Sequence, residues 1–274
     1  MLLTASIVSY KTDPVELERV LKSVSSSAVD IIYLVDNSPL EESLVRFADC
    51  FPKIDYISNP ANTGFGAGHN LAIQRAMEVA SDYHVIINPD VYFESGVIEE
   101  LTSFMNGHEE VGLVMPKVLY PSGEIQYLCK LLPTPADLFI RRFFRWKRYT
   151  DVINRRYELR FTDYNQLMEV PALSGCFMFV RTAVLRKTGG FDERYFMYAE
   201  DIDLSRRIGE MAKTVYYPGV HIYHKYAKGS YKNRRLLKYH VCSVIKYFNK
   251  WGWWFDPQRK LMNTKILREL DYKG

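Results

Sequence analysis

The sequence predicts an α/β protein with a mostly parallel central sheet, because short apolar runs alternate with stretches of helical periodicity along its first third. This alternation is typical of β-α-β units, in which each helix returns the chain to begin the next parallel strand. We predict strands over residues 2–9, 31–35, 54–58 and 85–87. The predicted helices between them span residues 14–24, 40–50 and 67–80. The first of these begins with Asp13 as its N-cap and a proline directly after it.

The rest of the chain has a less regular pattern. Its periodicity predicts a helix over residues 97–106, strands over 111–118 and 175–180, a short helix over 202–211 and a short strand over 214–217. Residues 133–160 are predicted to be irregular, and they are rich in basic and aromatic side chains. Residues 233–248 predict a basic amphipathic helix, whose apolar face is formed by Leu237, Val241, Val244, Ile245 and Phe248.

The composition is that of a globular protein with a substantial core, since 47% of the 274 residues are hydrophobic and 25% are charged. The four cysteines are far apart and form no CxxC pair, which argues against a zinc site or a disulfide framework and favours a reducing compartment. The first ten residues lack a basic start and predict a strand instead of a signal peptide. No apolar run reaches the roughly 18 residues of a membrane-spanning helix, so we expect a cytoplasmic protein.

The charge is unevenly distributed along the chain. Residues 228–274 contain 12 Lys and Arg against three Asp and Glu, a formal charge of +9, while the remainder carries −5. This tail also contains Trp251, Trp253 and Trp254. A basic and aromatic tail suggests an anionic partner, either anionic lipid or nucleic acid, and the alternative is a solvated helix face that binds nothing.

Each of the four predicted parallel strands ends in polar or small residues, namely Ser9-Tyr10, Asp36-Asn37, Asn59 and Asn88-Pro89-Asp90. Ligands bind outside the carboxyl ends of such strands, so we expect these side chains at one site. The Asp36 carboxylate could accept hydrogen bonds from a nucleobase or a ribose, and the Asp90 carboxylate could bridge a hard divalent cation to a diphosphate. Each motif taken singly favours a turn or a helix cap.

A glycine-rich motif, Asn62-Thr-Gly64-Phe-Gly66-Ala-Gly68-His-Asn70, lies between a predicted strand and a predicted helix. Its glycines would let backbone amides approach a phosphate or a sugar at the start of that helix. A tight strand-to-helix turn is an equally good interpretation, because the motif differs from the GxGxxG dinucleotide fingerprint.

The acidic run at residues 200–203 follows an aromatic block and precedes a helical pattern. At a helix N-terminus the ionised Asp201 carboxylate would be stabilised, which suits either an N-cap or a general base. Asp203 is expected to cap the helix or to pair with Arg206 or Arg207.

Two histidines follow the last predicted strand, at positions 221 and 224. Residues three apart in a strand face opposite sides, so only one of the two is expected to be a metal ligand. The alternative for either is a structural histidine at the end of a strand.

In this order along the chain, the motifs resemble those of the family 2 glycosyltransferases, which have the nucleotide-sugar-binding GT-A fold. The likeness spans residues 4–230, and its most specific part is the pair Gly189-Gly-Phe-Asp-Glu193 and Phe196-Met-Tyr-Ala-Glu200-Asp201-Ile-Asp203-Leu. The set is most similar to the bacterial rhamnosyltransferase-type branch that builds O-antigen, capsule or related surface polysaccharides. The resemblance implies a GT-A domain over residues 1–227, with a nucleotide-sugar half to about residue 98 and an acceptor half from about residue 99, and then a helical tail over 228–274.

The resemblance also implies roles for individual residues. Those expected to contact the nucleotide sugar are Ser9, Tyr10, Asp36, Asn62, Gly64, Asn70 and Asn88. Asp90 is expected to bind Mg²⁺ or Mn²⁺, with His224 as a further ligand. Asp201 is expected to be the general base, and Glu200 to support the base or orient the acceptor. Many members carry Asp-x-Asp where this chain carries Asn88-Pro89-Asp90, a substitution that also occurs in the branch it resembles.

The implied activity is inverting, metal-dependent transfer of a sugar from dTDP-rhamnose or a UDP-sugar to a lipid-linked or polysaccharide acceptor. The tail is expected to contact anionic lipid at the inner face of the cytoplasmic membrane, and nucleic acid is not an expected partner. Two alternatives stay open. One is a catalytically silent family member that scaffolds a polysaccharide assembly complex. The other is a nucleotide- or nucleic-acid-binding protein, which would have no use for Glu200 and Asp201.

Overall fold

The computed structural model describes residues 1–39, 44–138, 147–225 and 233–272. The first part of the predicted helix 40–50, the residues 139–146 of the predicted irregular stretch, and the domain boundary at 227–228 lie outside the described residues. The described strands are β1 (Leu3–Ser9), β2 (Ile31–Asp36), β3 (Ile54–Ser58), β4 (Tyr83–Ile87), β5 (Val91–Tyr92), β6 (Val111–Leu119), β7 (Met168–Glu169), β8 (Phe177–Arg181) and β9 (Lys213–His224).

These strands form one sheet with the order β3-β2-β1-β4-β8-β6-β9-β5, and β7 pairs with β9 beside this path. Strands β3, β2, β1 and β4 are parallel, and β6 and β9 are parallel to each other. Strand β8 is antiparallel to both of its neighbours, so β6 and β9 point the same way as the first four strands. The predicted α/β class with a mostly parallel central sheet is confirmed.

The helices flank this sheet, and their bounds are α1 (Pro14–Ser25), α2 (Arg46–Cys50), α3 (Phe65–Glu78), α4 (Val97–Gly107), α5 (Lys147–Tyr157), α6 (Thr182–Thr188), α7 (Glu200–Gly209), α8 (Arg234–Trp251) and α9 (Pro257–Glu269). Asp13 caps α1 as predicted, accepting a hydrogen bond from the N–H of Val15 at 2.8 Å. Helices α3 and α7 each begin two residues before the predicted position, because glycine and acidic residues in their first turns carry no apolar signal.

Two predictions for the second half of the chain were wrong. Helix α5 lies within residues 133–160, which were predicted to be irregular, because its eleven residues contain few apolar positions from which a period could be recognised. Strand β9 runs far beyond the predicted 214–217. Pro218 and Gly219 normally end a strand, but here the β6–β9 register shifts after Pro116 and the pairing continues.

The tail helices pack against the rest of the protein. In α8 the buried face consists of Ser243, Val244, Tyr247 and Phe248. Two residues predicted on the apolar face, Val241 and Ile245, are instead 39% and 43% exposed. The predicted face was rotated by about one position in the helix, because tyrosine and serine were not counted as core residues. Within the described ranges, none of the helices combines the length and the apolarity that crossing a bilayer requires.

Candidate active site

The carboxyl ends of β1, β2 and β4 meet at one edge of the sheet. Ser9 of β1 pairs with Asp36 of β2, and Ile7 of β1 pairs with Ile87 of β4. At this edge lies a cleft with two adjoining cavities, a first of about 460 Å³ and a second of about 500 Å³. Both cavities are lined by Val8, Tyr10, Phe65 and Met197.

The first cavity lies between the end of β1 and the start of α8. Among the residues predicted to contact a nucleotide sugar, Tyr10, Asn62 and Gly64 line it. The part contributed by α8 consists of Asn233, Arg235, Leu236 and Tyr239. Its described lining includes the cations Lys11 and Arg235 but no acidic side chain, so the charge balance of the first cavity suits an anionic ligand.

Asp36 lies behind the lining of the first cavity and is 2% exposed. Its carboxylate accepts hydrogen bonds from the N–H of Ser38 at 2.9 Å, from the N–H of Leu44 at 2.8 Å and from the Tyr56 hydroxyl at 2.8 Å. The contact with Ser38, two residues away, corresponds to the turn interpretation of the motif, and the other two tie Asp36 to more distant residues. The neighbouring Asn37, which belongs to the same predicted strand-end motif but was given no ligand role, lines the first cavity in its place.

The glycine-rich motif brings the start of α3 close to the rest of the cleft. Gly64 has a φ of +99°, and a Cβ atom there would lie 2.2 Å from the carbonyl oxygen of Phe196. The next residue, Phe65, donates its N–H to that oxygen at 2.9 Å. A Cβ atom at Gly66 would lie 2.9 Å from Cβ of Phe191. Close backbone packing therefore requires both of these glycines.

Two other predicted ligand contacts have intramolecular partners. Asn70 is absent from the described lining of both cavities, and its amide donates to the Phe191 carbonyl at 2.9 Å and to Glu193 at 3.0 Å. It also accepts the N–H of Phe191 at 2.8 Å, so it joins α3 to residues 190–193. Ser9 is fully buried, and its hydroxyl donates at 2.8 Å to Thr12, which lines the second cavity.

The second cavity brings Asn88, Asp90 and His224 together. Asp90 directly precedes β5, where Val91 pairs with His224 at the end of β9. This pairing places Nε2 of His224 3.4 Å from Oδ1 of Asp90. Gln126 orients the imidazole from the other side, since its Oε1 lies 3.0 Å from Nδ1. As predicted for two histidines three residues apart, His221 faces the opposite side and is exposed.

The donor atoms of this group fit a divalent cation. They comprise one carboxylate, one amide oxygen and one imidazole, and the amide oxygen Oδ1 of Asn88 is buried without a hydrogen-bond partner in the described chain. Burial acts to lower the pKa of His224, but the nearby Cys176 and Asp90 outweigh it and raise that pKa to about 10. A bound cation would replace this proton, because only neutral imidazole is a ligand.

The described residues contain no set of three or more His, Cys, Asp or Glu side chains placed to hold a metal ion. A cation in the second cavity would therefore need oxygen ligands from a substrate as well as from the protein. A diphosphate supplies such oxygens.

Glu200 and Asp201, in the first turn of α7, also line the second cavity. The Asp201 carboxylate accepts the N–H of Gly175 at 3.0 Å and the N–H of Ile202 at 2.8 Å. Glu200 is 6% exposed, and its Oε2 is buried without a hydrogen-bond partner among the described residues. Burial, followed by repulsion from Asp201, raises the pKa of Glu200 well above its usual range.

Asp203 is fully buried and pairs with Arg207 at 2.8 Å, which confirms one of the two predicted pairings. Arg206 instead pairs with Asp256 of the tail at 2.7 Å. Asp203 is absent from the described lining of both cavities.

Sequence reasoning missed three contributors to the cleft. These are the histidine partner Gln126, the Asp201 partner Gly175 and the start of α8. Asn37 was named in its strand-end motif, but the ligand contact was expected from Asp36. Gln126 and Gly175 lie in connecting segments without a motif, so only the tertiary structure brings them to the site.

A family model described as "Glycosyltransferase like family 2" matches residues 3–238. The N-acetylglucosaminyl-diphospho-decaprenol L-rhamnosyltransferase of Mycobacterium tuberculosis is 27% identical over 277 residues, which cover 92% of this chain and 86% of that protein. The rhamnosyltransferase WbbL of Escherichia coli K12 is 26% identical over 215 residues, 74% of this chain and 76% of that protein.

Among solved structures, GalNAc-T7 in a crystal with UDP, GalNAc and Mn²⁺ has a similar fold, with a TM-score of 0.60 at 14% identity. The similarity covers 82% of this chain and 44% of that longer chain.

Proposed function

We infer that this chain, which belongs to the glycosyltransferase like family 2 and is a glycosyltransferase, uses the Asp201 carboxylate to activate an acceptor hydroxyl. One observation carries this assignment. Two backbone N–H groups hold the carboxylate in the same cavity as Asn88, Asp90 and His224. A base and a group suited to a cation thus share one cavity, and sugar transfer from a nucleoside diphosphate needs both.

The proposed reaction is a single displacement at the anomeric carbon of the donor sugar. The acceptor oxygen forms a bond to that carbon while the bond from the carbon to the diphosphate oxygen breaks. The nucleoside diphosphate leaves with the bonding electrons, and Asp201 takes the hydroxyl proton. Attack opposite the leaving group inverts the configuration, and no covalent nucleophile on the enzyme is required.

Glu200 is proposed to complement this base by orienting the acceptor. Burial raises the pKa of Glu200 well above its usual range, and its Oε2 is buried without a hydrogen-bond partner among the described residues. A protonated carboxyl group at this position of the second cavity would donate a hydrogen bond to a sugar hydroxyl.

Asn88, Asp90 and His224 are proposed to hold Mg²⁺ or Mn²⁺. Such a cation supplies Lewis-acid neutralisation of the charge on the departing diphosphate. The unpartnered amide oxygen of Asn88 and the short Asp90–His224 distance support this site. The crystal of GalNAc-T7 with UDP and Mn²⁺ also supports it.

The first cavity is proposed to bind the nucleoside of the donor. Tyr10, Asn62 and Gly64, three of the residues expected to contact the nucleotide sugar, line it. Asp36, Asn70 and Ser9 are absent from its described lining and make intramolecular hydrogen bonds instead.

We propose rhamnose carried by dTDP as the donor, ahead of UDP-sugars, because two relatives are named rhamnosyltransferases. The acceptor is proposed to be a lipid-linked oligosaccharide or a growing surface polysaccharide. The alternative is a catalytically silent family member that acts as a scaffold. Such a protein would have the same fold but would not turn over a nucleotide-sugar donor.

Peripheral contact with the inner face of the cytoplasmic membrane is proposed for the loop between α8 and α9. Trp254 and Phe255 in this loop are 83% and 85% exposed, the largest fractions among the described large apolar side chains. Adjacent exposed aromatic residues are suited to the headgroup region of a bilayer.

Replacing Asp201 with asparagine tests the proposed base. The Asp201→Asn variant keeps the shape of the side chain but cannot take the proton, so transfer is expected to fall by about 10²- to 10⁴-fold. Donor affinity, measured by calorimetric titration, should stay within about twofold of wild type. Asp49→Asn, at an exposed position of α2, is the matched control and should leave both quantities unchanged. Transfer at the wild-type rate by Asp201→Asn would refute the assignment.

A further inference from the structure

The segment that precedes the proposed base packs on the tail. Tyr195 and Ala199 form a buried apolar cluster with Val244, Tyr247 and Phe248 of α8, separate from the main core. Ile202, in the first turn of α7, packs against the same cluster. The position of this first turn therefore depends on contacts with α8.

The backbone of this segment is strained directly before α7. Tyr198 and Ala199 have φ values of +73° and +66°, which are unfavourable for residues with a side chain. Two such residues in succession keep their conformation only when their surroundings impose it.

Hydrogen bonds fix the strained turn from two sides. The carbonyl of Phe196 accepts the N–H of Phe65 at 2.9 Å, so α3 holds one side. The carbonyl of Met197 accepts the hydroxyl of Ser243 at 2.8 Å, so α8 holds the other. Ser243 is 2% exposed, and Met197 lines both cavities.

Charged contacts hold α8 against the first turn of α7. The ammonium of Lys250 lies 2.6 Å from Asp203 and 2.8 Å from Asp192. The indole N–H of Trp251 donates to Asp203 at 2.8 Å. Asp203 lies two residues after the proposed base, so these contacts hold α7, the helix that contains Asp201, in its position.

We propose that α8 is a positioning element for the catalytic base, and that Ser243 is a positioning residue that acts on Asp201 through the turn at 196–199. Ser243 is absent from the described lining of both cavities, so it acts on the substrate indirectly, through its hydrogen bond to the Met197 carbonyl. Ser243, Lys250 and Trp251 all lie beyond residue 238, outside the family match. This inference rests on the proposed function of Asp201.

The Ser243→Ala variant of the full chain tests the inference. Loss of the hydroxyl leaves the Met197 carbonyl unpaired, so kcat for sugar transfer is expected to fall by about 5- to 30-fold. The donor KM should change by less than about twofold, because the misplaced group acts on the chemical step. Ser243→Thr restores the hydroxyl and should bring kcat to within about threefold of wild type even if its added methyl group lowers the melting temperature.

Ser27→Ala is the matched control. Ser27 is 6% exposed, donates to the Val24 carbonyl at 2.7 Å and is absent from the described lining of both cavities, so its loss removes a similar hydrogen bond outside the cleft. This control should lower stability without changing kcat. An unchanged kcat in Ser243→Ala, or equal losses in the Ala and Thr variants, would overturn the positioning role. A wild-type protein that transfers no sugar from any donor would instead overturn the proposed function.

Discussion

At the scale of single residues, two adjacent carboxyl groups have opposite environments. Asp201 accepts two backbone hydrogen bonds, from the N–H groups of Gly175 and Ile202. Glu200 has a buried oxygen without a described partner, and burial raises its pKa. In the proposed mechanism, these two neighbouring carboxyl groups act as base and as hydrogen-bond donor in one cavity. The proposed division of roles rests on the hydrogen bonding of Asp201 and on the burial of Glu200.

The cation proposal makes a prediction at the same scale. Asp90→Asn removes the carboxylate charge of the proposed ligand set, so Mn²⁺ affinity in the presence of UDP is expected to fall at least about tenfold. Electron paramagnetic resonance of free Mn²⁺ measures this without any turnover. Asp271→Asn, at an exposed position after α9, should bind Mn²⁺ like wild type.

A chelator tests the same site through activity. Excess EDTA should abolish transfer, and Mg²⁺ or Mn²⁺ should restore it. Full activity in excess EDTA would contradict the metal site.

The sequence was sufficient to identify several cleft residues but not their hydrogen bonds. Tyr10, Asn88 and Asp90 follow apolar strands, and parallel strands bring their ends together. Asp36 and Asn37 follow the same strand, and only the tertiary contacts of Asp36 with residues 38, 44 and 56 decide which of the two faces the cavity. Such contacts join distant parts of the chain and leave no local pattern.

At the scale of elements, the turn from β3 into α3 lets the start of α3 pack closely against a distant segment of the chain. Its glycines allow α3 to approach the 191–196 segment more closely than any side chain would permit. The first backbone N–H of α3 is donated to the Phe196 carbonyl. The sequence predicted the turn, but the segment against which it packs lies more than a hundred residues away and was not predictable from the motif.

Replacing Gly64 with alanine should therefore destabilise the protein more than replacing a glycine that has open space beside its Cα. Gly64→Ala adds a clash with the Phe196 carbonyl to the cost of a positive φ, so we expect a loss of at least about 3 kcal/mol in the free energy of unfolding. Gly96 has a φ of +93°, and a Cβ atom there would meet nothing within 4 Å, so Gly96→Ala should lose about 1 kcal/mol. Urea denaturation measures both. Equal losses would show that the close approach at Gly64 is unimportant.

At the scale of the whole molecule, two lysines of the basic tail are paired with carboxylates of the body. Lys250 pairs with Asp192 and Asp203, and Lys265 pairs with Glu169. These two side chains are therefore less available to an outside anionic partner than the formal charge of +9 implies. Composition alone could not show this, because the acidic partners are distributed along the body of the chain.

Membrane contact through the loop between α8 and α9 should depend on its exposed aromatic pair, Trp254 and Phe255. Full burial of one large apolar side chain is worth about 1.5–3 kcal/mol, so the double variant Trp254→Ser with Phe255→Ser should bind vesicles at least about tenfold more weakly. Flotation with vesicles of phosphatidylglycerol and phosphatidylcholine measures the bound fraction. Val15→Ser, which removes an exposed apolar side chain from α1, is the control and should float like wild type. If the double variant also floats like wild type, the loop between α8 and α9 is not the point of contact.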